Sequence, residues 1–349
     1  MNKKGSERYI TIDIAKGIAV FLVLWGHFIQ YSSGGNYDHF ADLIFRFIYS
    51  FHMPLFSLIS GYLFYNYLEK RSLKQVICKK LEGLLWPVFF WSVMRYYLSF
   101  MFHIVKGEII FEFTEWWELF TGSFLWFLWS ILAASICVAI VVKKFPVRFK
   151  IIGFIVAYFV MYLFPNAEMN LFLYPYFIIS YSAKKYEYLW KPHWKQGFIG
   201  ASISFLAMLP FYQNKHYIYN SGISIDFWDP GGQILTDIYR YIIGFCGSIA
   251  FIGTIAVLEK RLNSIIVALL VDCGKLSLHI YIIQCFLLPL AWPKFLSIFL
   301  KEMDFQLLVK NVVLYHIGTF VVSLVLLFIL LVVLGFLEKV KLLKIFFGR

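Results

Sequence analysis

Residues 10–31 read ITIDIAKGIAVFLVLWGHFIQY, a run long and apolar enough to cross a bilayer as a single helix. Three ionisable side chains, Asp13, Lys16 and His27, lie within it. A cleavable signal peptide would end in small residues, whereas this run continues through a Trp-Gly-His-Phe sequence. We therefore interpret it as a retained first membrane span, and similar runs recur along the rest of the chain.

The composition excludes an ordinary soluble protein. Of the 349 residues 61% are hydrophobic and only 15% are charged, against about 45–50% and about 25% in soluble domains. We predict an all-α, polytopic membrane protein with one domain over 1–349. About ten transmembrane helices are expected, at 10–31, 42–65, 84–105, 124–142, 149–164, 168–183, 197–212, 237–257, 276–292 and 311–337. The apolar stretch 262–271 is short for a span and is compatible with an interfacial or re-entrant segment.

The net charge of +12 reflects membrane topology rather than a nucleic-acid surface, because the basic residues are spread over short connections between apolar runs. With the N-terminus inside, 23 of the 32 Lys and Arg residues fall in cytoplasmic segments, five in outer loops and four within spans. The positive-inside rule then places both termini in the cytoplasm. The five cysteines show no metal-ligand spacing, so neither a metal site nor a disulfide is predicted.

The first span carries two chemically different groups on one face. Eleven helical steps separate Lys16 from His27, which returns the chain to within about 20° of the same face after a rise of roughly 16 Å. Asp13 lies one turn before Lys16 and can pair with it. Ionisable side chains at bilayer depth usually face a cavity or have a function. The alternatives are that Lys16 extends to the interface and that His27 bonds a neighbouring carbonyl.

The second span adds further polar residues at the same depth. Arg46 and His52 are candidates for a cavity, and Pro54 should free a backbone carbonyl. Ser60 and Gly61 allow another helix to approach closely. Purely structural packing would use the same residues, so this part of the pattern is less specific than the first span.

Two of the connections between predicted spans have compositions that suit a bound ligand. The cytoplasmic connection 66–83 would bind an anionic cofactor through Lys79 and Lys80, although topology alone also places basic residues there. The outer loop 106–123 carries Trp116 and Trp117 among four glutamates, and a second outer loop at 213–236 is also acidic and aromatic. Such loops suit a carbohydrate, since aromatic rings stack on sugar faces and carboxylates accept hydroxyl protons. The alternative is that the tryptophans only anchor the protein at the interface.

Four segments together resemble a known family. They are DIAKGIAVFLVLWGH at 13–27, FHMPLFSLISGYL at 51–63, LWFL at 125–128 and GKLSLHIYIIQ at 274–284. In this order they resemble the acyltransferase 3 family of membrane O-acyltransferases, and within it the fucose 4-O-acetylase-like members. The resemblance covers nearly the whole chain, and the first two segments are the most specific.

The resemblance implies an integral-membrane enzyme, typically of the bacterial plasma membrane, that acetylates cell-surface or lipid-linked sugars with cytoplasmic acetyl-CoA. It assigns the catalytic base to His27 and the basic partner of the family's first motif to Lys16, where most members have Arg. The motif in the second span maps onto Pro54, Phe56, Ser60 and Gly61. Two departures stand out, because Gly83 replaces the second Arg of a family pair and Gln284 replaces a late His.

The expected chemistry is transfer of an acyl group across the membrane. The CoA phosphates would bind Lys16, Lys79 and Lys80, and His27 would accept the proton of a sugar hydroxyl as it attacks the thioester. Arg46 and His52 are candidates for stabilising the oxyanion by depth alone. Two alternatives stay open: a transporter or flippase for a sugar or lipid-linked oligosaccharide, and a catalytically silent component of a polysaccharide synthesis complex.

Overall fold

The computed structural model describes residues 9–32, 37–105, 113–122, 125–223, 229–299 and 311–348, and within these ranges the regular structure is helical throughout. The glutamates at 108 and 112 of the predicted sugar-binding loop lie outside the described residues. The helices, numbered here in chain order, are α1 Ile10–Tyr31, α2 Leu43–Glu69, α3 Leu73–Lys80, α4 Trp86–Val105, α5 Phe113–Thr121, α6 Trp126–Lys144, α7 Lys150–Val160, α8 Ala167–Lys185, α9 Glu187–Trp190, α10 Trp194–Met208, α11 Ile218–Ser221, α12 Pro230–Leu258, α13 Ser264–Lys275, α14 Ser277–Phe299, α15 Val312–Lys339 and α16 Leu343–Phe347.

Several helices are long and apolar enough to cross a membrane. Over the described residues α1, α2, α6, α12 and α15 qualify singly, and α13 with the first part of α14 qualifies as a pair bent by 66°. The prediction of an all-α polytopic membrane protein is therefore confirmed. The other predicted spans coincide with α4, α7, α8 and α10, so the count of ten and the orientation of the termini stay predictions.

The stretch predicted as interfacial or re-entrant forms α13 and packs against the first half of α1. The two backbones approach so closely that a Cβ atom on Gly274 would overlap the carbonyl oxygen of Asp13. The end of α12 reaches the same place, because Thr11 Oγ1 donates a hydrogen bond of 2.6 Å to Glu259 Oε2. The start of α1 is thus held between the end of α12 and α13.

Helix α2 lies between α8 and α12. As the Ser-Gly pair predicted, Gly61 lets the α8 backbone approach, since a Cβ there would overlap the carbonyl oxygen of Phe177. Ser57 Oγ donates a hydrogen bond of 2.8 Å to the carbonyl of Leu173 on α8. The helix runs uninterrupted through Pro54, which is buried. These contacts fix the position of the second motif relative to the protein interior.

Contacts with the last two helices, α15 and α16, help to place α2 and α4. The side chain of Asp42 accepts the backbone N–H of Phe45 at 2.7 Å and so caps α2, while its second oxygen lies 2.7 Å from Nε2 of His316 on α15. Trp86 and Trp91 of α4 donate hydrogen bonds to carbonyls of the short α16. Helix α4 is thereby anchored through its first two turns.

Candidate active site

Two adjacent cavities lie along α1. The lysine cavity, named for Lys16, Lys80 and Lys275 in its lining, has a volume of about 280 Å³. The histidine cavity, named for His27 and His52, has a volume of about 700 Å³. Lys16 and His27, which the helix period places on one face of α1, therefore line two neighbouring cavities.

The cavities meet at three side chains that line both of them. Val23 comes from α1, Met53 from α2 and Tyr281 from α14. All three are less than a tenth exposed. The ring of Tyr281 is held edge-on against Phe127 of α6, with ring centroids 5.7 Å apart. The junction is therefore mostly apolar, and it is built from the four sequence segments that carry the family resemblance.

The lysine cavity combines an apolar wall with cationic side chains. Lys16 Nζ lies 3.0 Å from Asp13 Oδ1, the pairing predicted from their spacing, and its side chain is only 20% exposed. Lys80 lies over the rings of Phe64 and Tyr67, at 5.0 and 5.3 Å from their centroids. Such a chamber can hold an anionic ligand whose remaining length is apolar.

Of the other residues predicted near this cavity, some line it and some do not. Ser60 lines it, as expected of the second motif. Lys79, predicted to act with Lys80, lies on the exposed side of α3, where its Nζ is 2.7 Å from Glu82 Oε2. Lys275 was not predicted as a site residue, although it belongs to the quoted segment 274–284; it pairs with Asp272 at the bend between α13 and α14.

The histidine cavity places two imidazoles among polar side chains. The Nδ1 atom of His27 is buried and has no hydrogen-bond partner among the described residues. His52 differs, because its Nδ1 lies 2.8 Å from the carbonyl of Ile48 and must donate to it. The free nitrogen of His52 is then an acceptor. His27 thus lines the cavity and has an unpartnered ring nitrogen, which a general base requires.

The polar lining of this cavity was predicted in part, because Glu115 and Glu118 belong to the glutamate-rich outer loop 106–123 that was expected to bind a carbohydrate. The lining also includes Arg95 from α4, which appeared in the sequence only as a charge inside a span. Glu115 and Glu118 come from α5, and Ser99 Oγ donates to Glu115 Oε1 at 2.7 Å. Further lining groups are Gln30, Tyr31, Tyr49, Trp126, Tyr219 and Asn220. The rule that flags buried charges could have found Arg95.

The remaining candidates lie outside the described linings of both cavities. Trp116 stacks on Phe120, with ring centroids 5.4 Å apart and planes 9° apart, and Trp117 is 49% exposed. Arg46 donates through Nε to the carbonyl of Phe40 at 3.0 Å. It supports the turn before α2. Within the described residues no group of three metal-ligating side chains occurs.

Arg240 of α12 fixes the segment that carries Tyr219 and Asn220 into the histidine cavity. Its side chain is 2% exposed and bonds the carbonyls of His216 and Gly222 at 3.0 and 2.7 Å. The Arg240 side chain also contacts Asp237, Ser221 and the carbonyl of Lys215.

Burial, together with the charges of Lys215 and Arg240, lowers the pKa of His216 to about 4, so its imidazole is neutral near pH 7.

Sequence comparisons identify the family of the chain. A family profile described as an acyltransferase domain, that of acyltransferase 3, matches residues 9–337. The chain is 35% identical over 135 residues to the nodulation protein NolL of Sinorhizobium fredii, and 31% identical over 143 residues to NolL of Mesorhizobium japonicum. These alignments cover 37% and 39% of this chain. They span 35% and 36% of the relatives, so the chain matches about a third of their length.

No solved structure matches the chain significantly. The family profile, by contrast, covers nearly the whole sequence, including both histidines and the lysines of the two cavities. Each segment quoted for the resemblance contributes a residue to one cavity or to the junction. The protein therefore belongs to the acyltransferase 3 family.

Proposed function

We propose that this protein transfers an acetyl group from acetyl-CoA, bound in the lysine cavity, to a hydroxyl of a saccharide bound in the histidine cavity. The observation that carries the proposal is the shared junction of Val23, Met53 and Tyr281 between the two cavities. A donor entering from one side and an acceptor entering from the other would meet there. The family membership supports the reaction class, and the cavity linings support the choice of residues.

The charge of the lysine cavity and its distance from His27 both suit CoA as the donor. The phosphates of CoA are matched by Lys16, Lys80 and Lys275, since ammonium groups are effective point charges for phosphate. The thin, largely uncharged pantetheine arm would continue along the apolar wall toward Val23. From Lys16 to His27 the helix rises roughly 16 Å. With the lysines on the cytoplasmic side, as the positive-inside count predicts, the cell's CoA pool reaches this mouth.

His27 would act as the general base at the junction. Its available ring nitrogen accepts the hydroxyl proton while the hydroxyl oxygen bonds to the thioester carbonyl carbon. The C–S bond then breaks and the thiolate takes that proton back from the imidazolium, so the products are the sugar ester and free CoA. Arg95 brings a positive charge into the same cavity and can stabilise the oxyanion.

The lining of the histidine cavity suits a saccharide as the acceptor. Glu115, Glu118, Gln30 and Asn220 offer acceptors and donors for hydroxyl groups, and Tyr219 and other rings offer faces for stacking. A volume of about 700 Å³ lies within the roughly 300–1,000 Å³ of small-molecule sites. We therefore favour a cell-surface or lipid-linked saccharide as the acceptor, in the plasma membrane of a bacterium.

The direct test uses membrane vesicles from cells that express the protein and from cells that lack it. Acetyl-CoA added to inverted vesicles, whose cytoplasmic face is outside, should be converted to CoA while the saccharide gains one acetyl group by mass spectrometry. Sealed vesicles of the opposite orientation should leave external acetyl-CoA unused. Movement of unmodified saccharide without consumption of acetyl-CoA would overturn the proposal in favour of a transporter.

A further inference from the structure

The junction between the cavities fixes where the acyl group must lie. The donor reaches the reaction through the lysine cavity and the hydroxyl reaches it through the histidine cavity, so the thioester carbonyl comes to the plane of the three shared side chains. The substituent on that carbonyl points away from both the sulfur and the attacking oxygen. It must therefore occupy space beside the junction rather than along the passage.

That lateral space is bounded by buried side chains. Val23 is 3% exposed, Met53 6% and Tyr281 8%, so little of their surface is open to either cavity. Tyr281 is braced by Phe127 at 5.7 Å between ring centroids. Met53 is unbranched and its three side-chain torsions can be rearranged, which makes it the adjustable member of the three. A methyl group fits such a site more readily than a longer chain.

We propose that Met53, together with Val23, determines the length of the acyl group that this protein transfers and restricts it to acetyl. The inference rests on the proposed function and adds to it the residues that determine acyl length. One methylene more or less in an apolar pocket changes selectivity by about 10–200-fold. The unmodified protein should therefore prefer acetyl-CoA over propionyl-CoA by at least about tenfold in kcat/KM.

Shortening Met53 is the direct test. In the inverted-vesicle assay, Met53→Ala should bring the acetyl-to-propionyl ratio of kcat/KM down to within roughly threefold, because the lost side chain leaves room for one or two methylenes. Met53→Leu keeps the volume and should retain the preference. Met161→Ala is the matched control, since Met161 is also buried but lies outside both described linings, and the ratio of this variant should not change.

The possible results distinguish failure of the selectivity inference from failure of the proposed function. If the unmodified protein transfers no acetyl group at all, the proposed function fails. If it transfers acetyl but Met53→Ala leaves the ratio unchanged, the selectivity inference alone is wrong. Should Met53→Ala fail to reach the membrane, Val23→Ala opens the same junction from α1 and carries the same expected change in ratio.

Discussion

The lysine cavity and the histidine cavity share a junction but are built in different ways. The first is formed largely by long helices and by segments that carry the family resemblance, with Lys16 on α1 and Lys80 at the end of α3. The second takes much of its polar lining from short elements, namely α5 and the α11 segment with Tyr219 and Asn220. This difference in construction indicates where selectivity for each substrate can change.

A donor site on long packed helices suits a ligand that does not vary. An acceptor site on short connecting elements suits a ligand that differs between relatives, because such elements tolerate change without loss of the core. On this argument, alterations at the histidine cavity should affect the acceptor or the chemistry. Alterations at the lysine cavity should affect only the donor. The following substitutions test that division.

The largest effect is expected from His27→Ala. Removing the base should lower kcat by about 10²–10⁴-fold, since that is the usual contribution of a positioned proton acceptor. Binding of a non-transferable acetyl-CoA analogue should be unchanged, because the lysine cavity is intact. The measurements are turnover in inverted vesicles and calorimetric titration of the purified protein.

The matched control is His193→Ala, on an exposed turn before α10 and outside both described linings. It should turn over at the unmodified rate. A His27→Ala protein that retains more than a tenth of the normal rate would remove His27 as the base. Loss of analogue binding in that variant would contradict the division between the cavities.

A second substitution tests the acceptor site from a distance. Arg240→Ala removes the group that holds the carbonyls of His216 and Gly222, and with them the segment bearing Tyr219. Displacing substrate-binding groups by about 1 Å can cost about 10²-fold. We expect a loss of that order in kcat/KM for the saccharide, with the KM for acetyl-CoA unchanged. Steady-state kinetics with each substrate varied in turn measure it.

Because Arg240 is buried, its loss could also destabilise the fold by about 3–5 kcal/mol. Thermal unfolding in detergent shows whether this happens. Arg240→Lys, which keeps the charge but not the forked geometry, is the milder variant and should shift the same constant in the same direction. A parallel rise in the KM of both substrates would mean that Arg240 supports the whole protein rather than the acceptor site.

The sequence was sufficient wherever one helix determines the geometry. Lys16 and His27 are both on α1, and the helix period alone predicted that they share a face; each lines a cavity. It was insufficient where residues from distant segments meet. Arg95 and Tyr219 are 124 positions apart, and no local pattern indicates that α4 and α11 contribute to one chamber.

Aromatic residues show the same limit. Trp116 and Trp117 had the composition of a sugar-binding loop, but Trp116 stacks on Phe120 of its own helix and Trp117 is half exposed. Trp126, from the LWFL segment, lines the histidine cavity instead. Composition thus indicated the right kind of side chain, whereas tertiary packing decided which ring faces the cavity.

The smallest effects come from neighbouring lysines that the sequence treated alike. Lys79 and Lys80 differ by about 100° around α3, so only one can face inward. Lys80 lines the lysine cavity with Lys16, while Lys79 pairs with Glu82 at the surface.

Lys16→Ala should raise the KM for acetyl-CoA by about tenfold, because a bond to a charged group contributes about 1.5–3 kcal/mol. Lys79→Ala, the matched control, should change it by less than about twofold.

Initial rates over a range of acetyl-CoA concentrations, at saturating saccharide, distinguish these cases. Lys16→Arg should retain most of the donor affinity, since the charge is kept. Equal effects of Lys16→Ala and Lys79→Ala would mean that the donor is held by the general positive charge of this face. A larger effect on the saccharide than on acetyl-CoA would reverse the assignment of the two cavities. The comparison of Lys16 with Lys79 therefore tests whether the donor enters by the cavity or only binds at its surface.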